Sequence, residues 1–267
     1  MRIIVFLSCL SLALAFAPDR LPWAKQPRRL IVGGSEAPVG SRPYQVAILE
    51  SVGGSLKQGC GGTLVHRSWV VSASHCIGSS RIHVGLGYHS LSAGGEQTIA
   101  GTWIKHDGFN PSTVDNDVAL IKLDTPATIS DKVKTISIAK AGSDVAAGTS
   151  LLVSGWGALS SGGGFPDKLQ QVVVTAVSRG QCNSDYGGSI TNNMFCASAP
   201  GKDSCQNDSG GPIVSHFDEN KHVNGVILEG IVSWGAGCAD ARYPGVYARA
   251  ANYCAWFAEK SSNDVTC

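Results

Sequence analysis

A histidine, an aspartate and a serine stand in three separate segments of this chain, each where an apolar run meets a turn. VVSASHC (70–76) ends in His75 beside Cys76. DNDVALIKL (115–123) puts Asp115 and Asp117 at the entry to an apolar run, and DSCQNDSGGP (203–212) sets Ser209 on a Gly-rich turn. A serine hydroxyl is a weak nucleophile. It needs a nearby base, and the base needs a buried acid to fix its tautomer and stabilise its charge. His, Asp and Ser in that chain order is one solution to this problem, so the chemistry in prospect is covalent catalysis by serine. Singly, the first two segments equally suit a structural histidine at a strand end and a turn aspartate. The third says more, because two glycines after a serine mark backbone that another group must approach closely.

These residues need a scaffold, and the composition favours a β-rich one. Of 267 residues 33 are Gly and only 15% are charged, which suits short strands with many tight turns better than a helical bundle. The 43% of hydrophobic residues is enough to build a core and argues against disorder, and the glycines lack the three-residue period of collagen. The runs YQVAIL (44–49), TLVHRSWVVSAS (63–74), VALIKL (118–123), SLLVSGW (150–156), LQQVVVTAV (169–177), GGPIVS (210–215), GVILEGIVSW (225–234) and PGVYARA (244–250) read as strands. Only YCAWFAEK (253–260) reads as a helix. A small, polar stretch at 139–148 is a candidate joint between two halves.

At the N-terminus, Arg2 followed by IIVFLSCLSLALAFA (3–17) has the form of a secretory signal, with cleavage after Ala15 or Ala17. The run is too short for a comfortable membrane span, and no membrane association is expected. Residues 18–30 (PDRLPWAKQPRRL) read as a pro-segment. Residues 1–30 carry five basic groups and one acid, so the remainder has 16 basic against 19 acidic groups and a net charge of −3. That excludes binding to nucleic acid through a basic surface. Loss of Cys9 with the signal leaves eight cysteines: Cys60, Cys76, Cys182, Cys196, Cys205, Cys238, Cys254 and Cys267. An even set without CxxC or zinc spacing, in an exported chain, points to disulfides, with the connectivity left open by spacing alone.

The segments IVGG (31–34), CGGTLVHRSWVVSASHC (60–76), DNDVALIKL (115–123), SGWG (154–157), KDSCQNDSGGP (202–212), SWGAGC (233–238) and YPGVYARA (243–250) together resemble the trypsin/chymotrypsin family of serine proteases, in the family's order. The resemblance implies an all-β fold: two six-stranded antiparallel barrels packed together, about 31–140 and 141–252, with a short C-terminal helix at about 253–260. The peptidase domain would span 31–267. His75 would act as general base and then acid, Asp117 rather than Asp115 as its orienting acid, and Ser209 as nucleophile. The backbone N–H groups of Asn207 and Ser209 would form the oxyanion hole. Asp203, six residues before Ser209, would pair with an Arg or Lys of a protein or peptide substrate. Ser204 would add a hydrogen bond, Ser233–Gly235 would offer backbone to the extended substrate, and Gly235 and Gly245 would keep the pocket walls open. The resemblance also implies the pairs Cys60–Cys76, Cys182–Cys196 and Cys205–Cys238. Cys254 and Cys267 are left over, and the thirteen residues between them permit a bridge if the chain reverses after Lys260.

Three departures from the family pattern stand out. Asn207 replaces the usual glycine two residues before the nucleophile, and could weaken protein inhibitors; Asn207-Asp208-Ser209 also reads as a glycosylation sequon. A second reading follows from it: a protease homologue of low or no activity that serves as a secreted binding or inhibitor protein. Leu30 precedes Ile31, so a cut after Arg29 would leave one residue too many on the ammonium that is expected to insert beside Asp208. The stretch matching the family's calcium loop has Tyr88 at its first ligand position and retains only Glu96, so no metal is expected. No cofactor is expected, and the protein is expected to be a secreted monomer.

Overall fold

The structure, a computed structural model, describes residues 34–78, 81–158, 164–199, 208–236 and 242–267. The signal and pro-segment therefore lie outside the described residues, as do Ile31, Asp203, Ser204, Cys205, Asn207 and Cys238. Among the described residues there are fourteen strands, six in each of two barrels and two short ones attached to the second. In the first half are β1 (Ser35–Glu36), β2 (Gln45–Val52), β3 (Ser55–His66), β4 (Trp69–Ser72), β5 (Arg81–Leu86), β6 (Gln97–Lys105), β7 (Ala119–Leu123) and β8 (Ser137–Ile138). In the second are β9 (Ser150–Gly155), β10 (Gln170–Val177), β11 (Met194–Ser198), β12 (Pro212–Ser215), β13 (Ile227–Trp234) and β14 (Gly245–Arg249).

The first barrel closes in the order β2-β3-β4-β7-β6-β5, and the second in the order β10-β11-β14-β13-β12-β9. The two-residue strands β1 and β8 attach to β10 and β13. Closure removes the exposed sheet edges that a chain of this many strands would otherwise present.

Period-two alternation explains why several strands are apolar almost throughout. On β4, Val70 faces the first barrel's interior with Val46, Leu64 and Ile121, while Trp69 and Val71 face the seam between the barrels. On β9 and β12, Leu151, Val153 and Ile213 fill the second interior with Phe195 and Tyr247. Leu152 and Val214 on the same strands point into the seam. A strand buried on both faces reads as a continuous apolar run rather than an alternating one. One such run, 63–74, proves to be two strands, because Arg67 and Ser68 turn the chain between β3 and β4.

Helix α2 (Cys254–Ser261) lies at the C-terminus and buries Trp256 and Phe257 in the seam. Ser262 and Asn263 take left-handed φ of 57° and 68°, which turns the chain back; Asn263 N–H donates to Ala258 O at 2.8 Å. A disulfide joins Cys254 to Cys267 with Cα atoms 5.6 Å apart. A second helix, α1 (Arg179–Asp185), has no counterpart in the sequence reading. It buries only Cys182, so it carries no 3.6-residue apolar period; the Ser178 side chain caps it by accepting from Gln181 N–H. Disulfides tie α1 to β11 through Cys182–Cys196 and β3 to the turn after β4 through Cys60–Cys76.

Candidate active site

The antiparallel pairing of β4 with β7 brings the histidine and the aspartate together. Ser72 at the end of β4 faces Ala119 at the start of β7. The chain therefore leaves β4 at the same end of the sheet from which it enters β7. His75 follows on a 3₁₀ turn, Ser74–Cys76, and Asp117 lies two residues before β7. The turn is fixed by Ser74 Oγ, which donates to Val118 O at 2.6 Å, and by the Cys60–Cys76 disulfide.

Asp117 is buried, at 1% exposure, yet each of its oxygens is satisfied. The His75 backbone N–H donates to Oδ1 at 2.9 Å, and His75 Nδ1–H donates to Oδ2 at 2.6 Å. Ser233 Oγ, from β13 of the other barrel, donates to Oδ2 at 2.5 Å. An ionised carboxylate only accepts hydrogen bonds, so this geometry puts the imidazole proton on Nδ1 and leaves Nε2 as a free base. The His75 side chain is 32% exposed and lines an open cavity. The Ser233 hydroxyl is a contact the sequence reading missed, having assigned this residue a backbone role only. A serine before a tryptophan carries no signal that its side chain serves an acid 116 positions away.

Ser209 reaches this site by backbone contacts. Gly61 N–H on β3 donates to Ser209 O at 2.8 Å, and Gly210 N–H donates to Val232 O at 2.8 Å. Gly210 has φ +78°, and a Cβ there would collide with Ser72 Oγ and Gly61 O, both on strands of the first barrel. A Cβ on Gly61 would come within 2.9 Å of Gly211 Cα. Glycine at 210 and 61 thus lets the two barrels meet backbone to backbone beside the histidine turn. Among the described residues no hydrogen bond joins Ser209 Oγ to His75 Nε2; such bonds tighten when substrate binds.

Asp208, fully buried, accepts from Gly157 N–H at 2.8 Å, with Gly155 and Gly157 so close that neither could carry a side chain. Of the residues expected to line a substrate pocket, Gly245 is buried at the start of β14 opposite Ala197, and Gly235 is exposed just past β13. A cavity of about 410 Å³ adjoins His75, lined by Lys105, Phe109, Val114, Ser233 and Trp234 among others. Lys105 Nζ lies 5.2 Å above the Phe109 ring on its rim.

Two arrangements that resemble metal sites are accounted for by other chemistry. Cys60, Cys76 and His75 cluster, but the sulfurs are joined in a disulfide and offer no thiolate. The loop that would hold calcium does not fit the ion: Glu96 accepts from Ser130 Oγ and lies 3.8 Å from Lys132 Nζ, and the Tyr88 hydroxyl is bonded to Thr98.

The trypsin family model matches residues 31–257. Cationic trypsin-3 of Rattus norvegicus is 44% identical over 265 residues, covering 96% of this chain and 97% of the relative. Trypsin I-P38 of Gallus gallus is 43% identical over 99% of this chain and 100% of its own length. The trypsin of Sus scrofa is 47% identical over 85% and 93%. With this match, two closed barrels and a histidine–aspartate pair at their seam, the chain belongs to the trypsin family and is a trypsin-like serine endopeptidase.

Proposed function

We propose that this endopeptidase cleaves peptide bonds after Arg and Lys, with Ser209 as nucleophile, His75 as general base and then acid, and Asp117 as the acid that orients the imidazole. The observation that carries the reading is the His75–Asp117–Ser233 hydrogen-bond chain next to the Ser209 turn. Attack of Ser209 Oγ on the scissile carbonyl passes its proton to His75 Nε2. Asp117 stabilises the resulting imidazolium, and His75 then protonates the leaving amine. Water repeats the sequence on the acyl-enzyme. The N–H groups of Asn207 and Ser209 would receive the oxyanion.

The family resemblance supports the choice of basic substrates: it implies that Asp203 would lie at the base of a pocket walled by Gly235 and Gly245, with Ser204 adding a hydrogen bond. The cavity beside His75, with its aromatic walls and the Lys105 ammonium on the rim, would receive residues upstream of the cut. Export through residues 1–17 and removal of 18–30 would make the protein a secreted zymogen, activated when the Ile31 ammonium meets Asp208. Its substrates would be proteins and peptides, with protein inhibitors of trypsin type bound weakly because of Asn207.

The test is turnover of matched amide substrates. Arg and Lys substrates should be cleaved and Phe and Leu ones should not. Asp203→Ser should cost about 3–5 kcal/mol in kcat/KM for Arg, because a desolvated substrate cation loses its partner. Equal turnover of Arg and Phe substrates by the unaltered enzyme contradicts the specificity. The second reading, a binding protein spoiled by Asn207, requires that the mature protein fail to acylate while Asn207→Gly does so.

A further inference from the structure

Two residues before Asp117 stands a second aspartate that the triad leaves unused. Asp115 is half-buried and faces the other barrel. Its Oδ1 accepts from Thr191 Oγ1 at 2.6 Å and from Asn193 Nδ2 at 3.2 Å. Asn193 Nδ2 also donates to Asn116 Oδ1 at 3.1 Å, and Asn193 Oδ1 in turn accepts from Asn252 Nδ2 at 3.1 Å. On its own barrel, Asp115 O accepts from Asn110 N–H at 3.1 Å and Asn116 Nδ2 donates to Gly108 O at 3.0 Å.

The backbone between these anchors is held in an unfavourable conformation. Val114 and Asn116, on either side of Asp115, have φ of +55° and +56°. Asparagine tolerates the left-handed region, but a β-branched valine is a genuine outlier there and relaxes unless its neighbours hold it. The next residue is Asp117, whose carboxylate has to meet His75 from one barrel and Ser233 from the other, at 2.6 and 2.5 Å. A displacement of about 1 Å at such a site is enough to cost about a hundredfold in rate.

We propose that Asp115 is a positioning residue for catalysis: by gripping Thr191 and Asn193 across the seam it holds its neighbours Val114 and Asn116 in their left-handed conformations and so aims the Asp117 carboxylate. The inference rests on the reading of Asp117 as the orienting acid. It also assigns the second barrel two holds on that acid, one direct through Ser233 and one through Asp115. A role confined to joining the barrels would weaken the fold and leave the turnover of folded enzyme untouched.

The experiment is steady-state kinetics on a small Arg amide, with concentrations set by active-site titration so that only competent molecules are counted. Asp115→Ala should lower kcat by about 10- to 100-fold with KM within about twofold of the parent. Asn193→Ala should lower kcat less, and Asp115→Ala combined with Asn193→Ala should be no worse than Asp115→Ala alone, since both remove one bridge. Asp115→Asn keeps an acceptor for Thr191 and should recover most of the rate. The downfield proton resonance of His75 Nδ1–H should move or broaden in Asp115→Ala and be restored in Asp115→Asn. Thr191→Val, which leaves the carboxylate in place, gives the same reading if Asp115→Ala does not fold. An unchanged kcat in Asp115→Ala or Thr191→Val, with only the melting temperature lowered, overturns the proposal while Asp117→Asn remains inactive. A wild-type kcat in Asp117→Asn overturns the triad reading and this inference together.

Discussion

On the first barrel, His75 and Asp117 are held by a disulfide at Cys76, the Ser74 hydroxyl, and three hydrogen bonds into one buried carboxylate, one from the His75 backbone, one from its ring and one from Ser233 of the other barrel. On the second barrel, the Ser209 turn is held by its backbone, Ser209 through Gly61 and Gly210 through Val232, with the buried Asp208 immediately before it. The first arrangement is built on strands β4 and β7 and the 3₁₀ turn, with two further holds from the second barrel, Ser233 on Asp117 and Thr191 with Asn193 on Asp115. The second includes a carboxylate at 0% exposure that accepts from Gly157 N–H at 2.8 Å, since a buried charge is stable only with such partners. The difference teaches that the His75–Asp117 pair is in place once both barrels have closed. On the proposed reading, proteolytic control would act instead at the Ser209 turn: an ammonium freed at Ile31 would meet Asp208 without disturbing the pair on the other barrel.

The largest expected effect comes from breaking the first arrangement. Asp117→Asn should keep the fold and lower kcat about 10⁴-fold, because the amide no longer fixes the Nδ1–H tautomer. A loss of tenfold or less, measured against titrated enzyme, would mean that Ser233 and the turn geometry orient His75 without the acid.

Next comes the control of the second arrangement. Protein that retains Leu30 should be less active than protein beginning at Ile31 by on the order of 10²-fold, since the extra residue displaces the ammonium proposed to insert beside Asp208. His75 and Asp117 should be unaffected, so the downfield His75 proton should be the same in both forms. Equal activity of the two forms separates Asp208 from activation.

A third effect should touch neither arrangement. Cys254→Ser with Cys267→Ser should lower stability by about 3 kcal/mol, the loop-closure value for a loop of this length, with kcat unchanged. The bridge holds the tail where Trp69 Nε1 donates to Asp264 Oδ2 at 3.0 Å, on the far side of β4 from the barrel interior. A fall in kcat beyond twofold would show that the tail supports the His75 segment after all.

The smallest effect concerns pH. Burial pushes the imidazoles of His106 and His222 below the usual histidine range. His106 lies against Tyr253 and Trp256 and faces Asp107, Asp115 and Lys260; His222 lies near Tyr44 and faces Lys134 and Arg42. Because folding disfavours the protonated form, the unfolded chain takes up protons first as the pH falls below about 6.5. Stability is therefore fully present above that pH and declines beneath it. Urea midpoints should drop modestly from pH 7.5 to 5.5, above the range where the carboxylates titrate, and less so in His106→Gln with His222→Asn. A midpoint that rises over this interval contradicts the sign.

Much of this architecture is readable in the sequence, because burial on both faces leaves runs such as VALIKL and SLLVSGW, and the turn glycines after Ser209 mark a close approach that the structure contains at Ser72 and Gly61. Helix α1 is invisible because it buries a single residue and is fixed by a cap and a disulfide rather than by an apolar stripe. The role of the Ser233 hydroxyl and the bridge from Asp115 to Thr191 and Asn193 are invisible for another reason. They join residues at least 76 positions apart, across a seam whose register is set only when both barrels have closed.

The central claim is that Ser209 is acylated by substrate in a chain whose N-terminus is Ile31. Active-site titration of that form with a slowly deacylating Arg ester, followed by mass spectrometry of the trapped protein, tests it directly. The account predicts a burst of one equivalent per chain, the acyl group on Ser209, and no burst in Ser209→Ala. A burst that survives Ser209→Ala, or none at all from the Ile31 form, would contradict it.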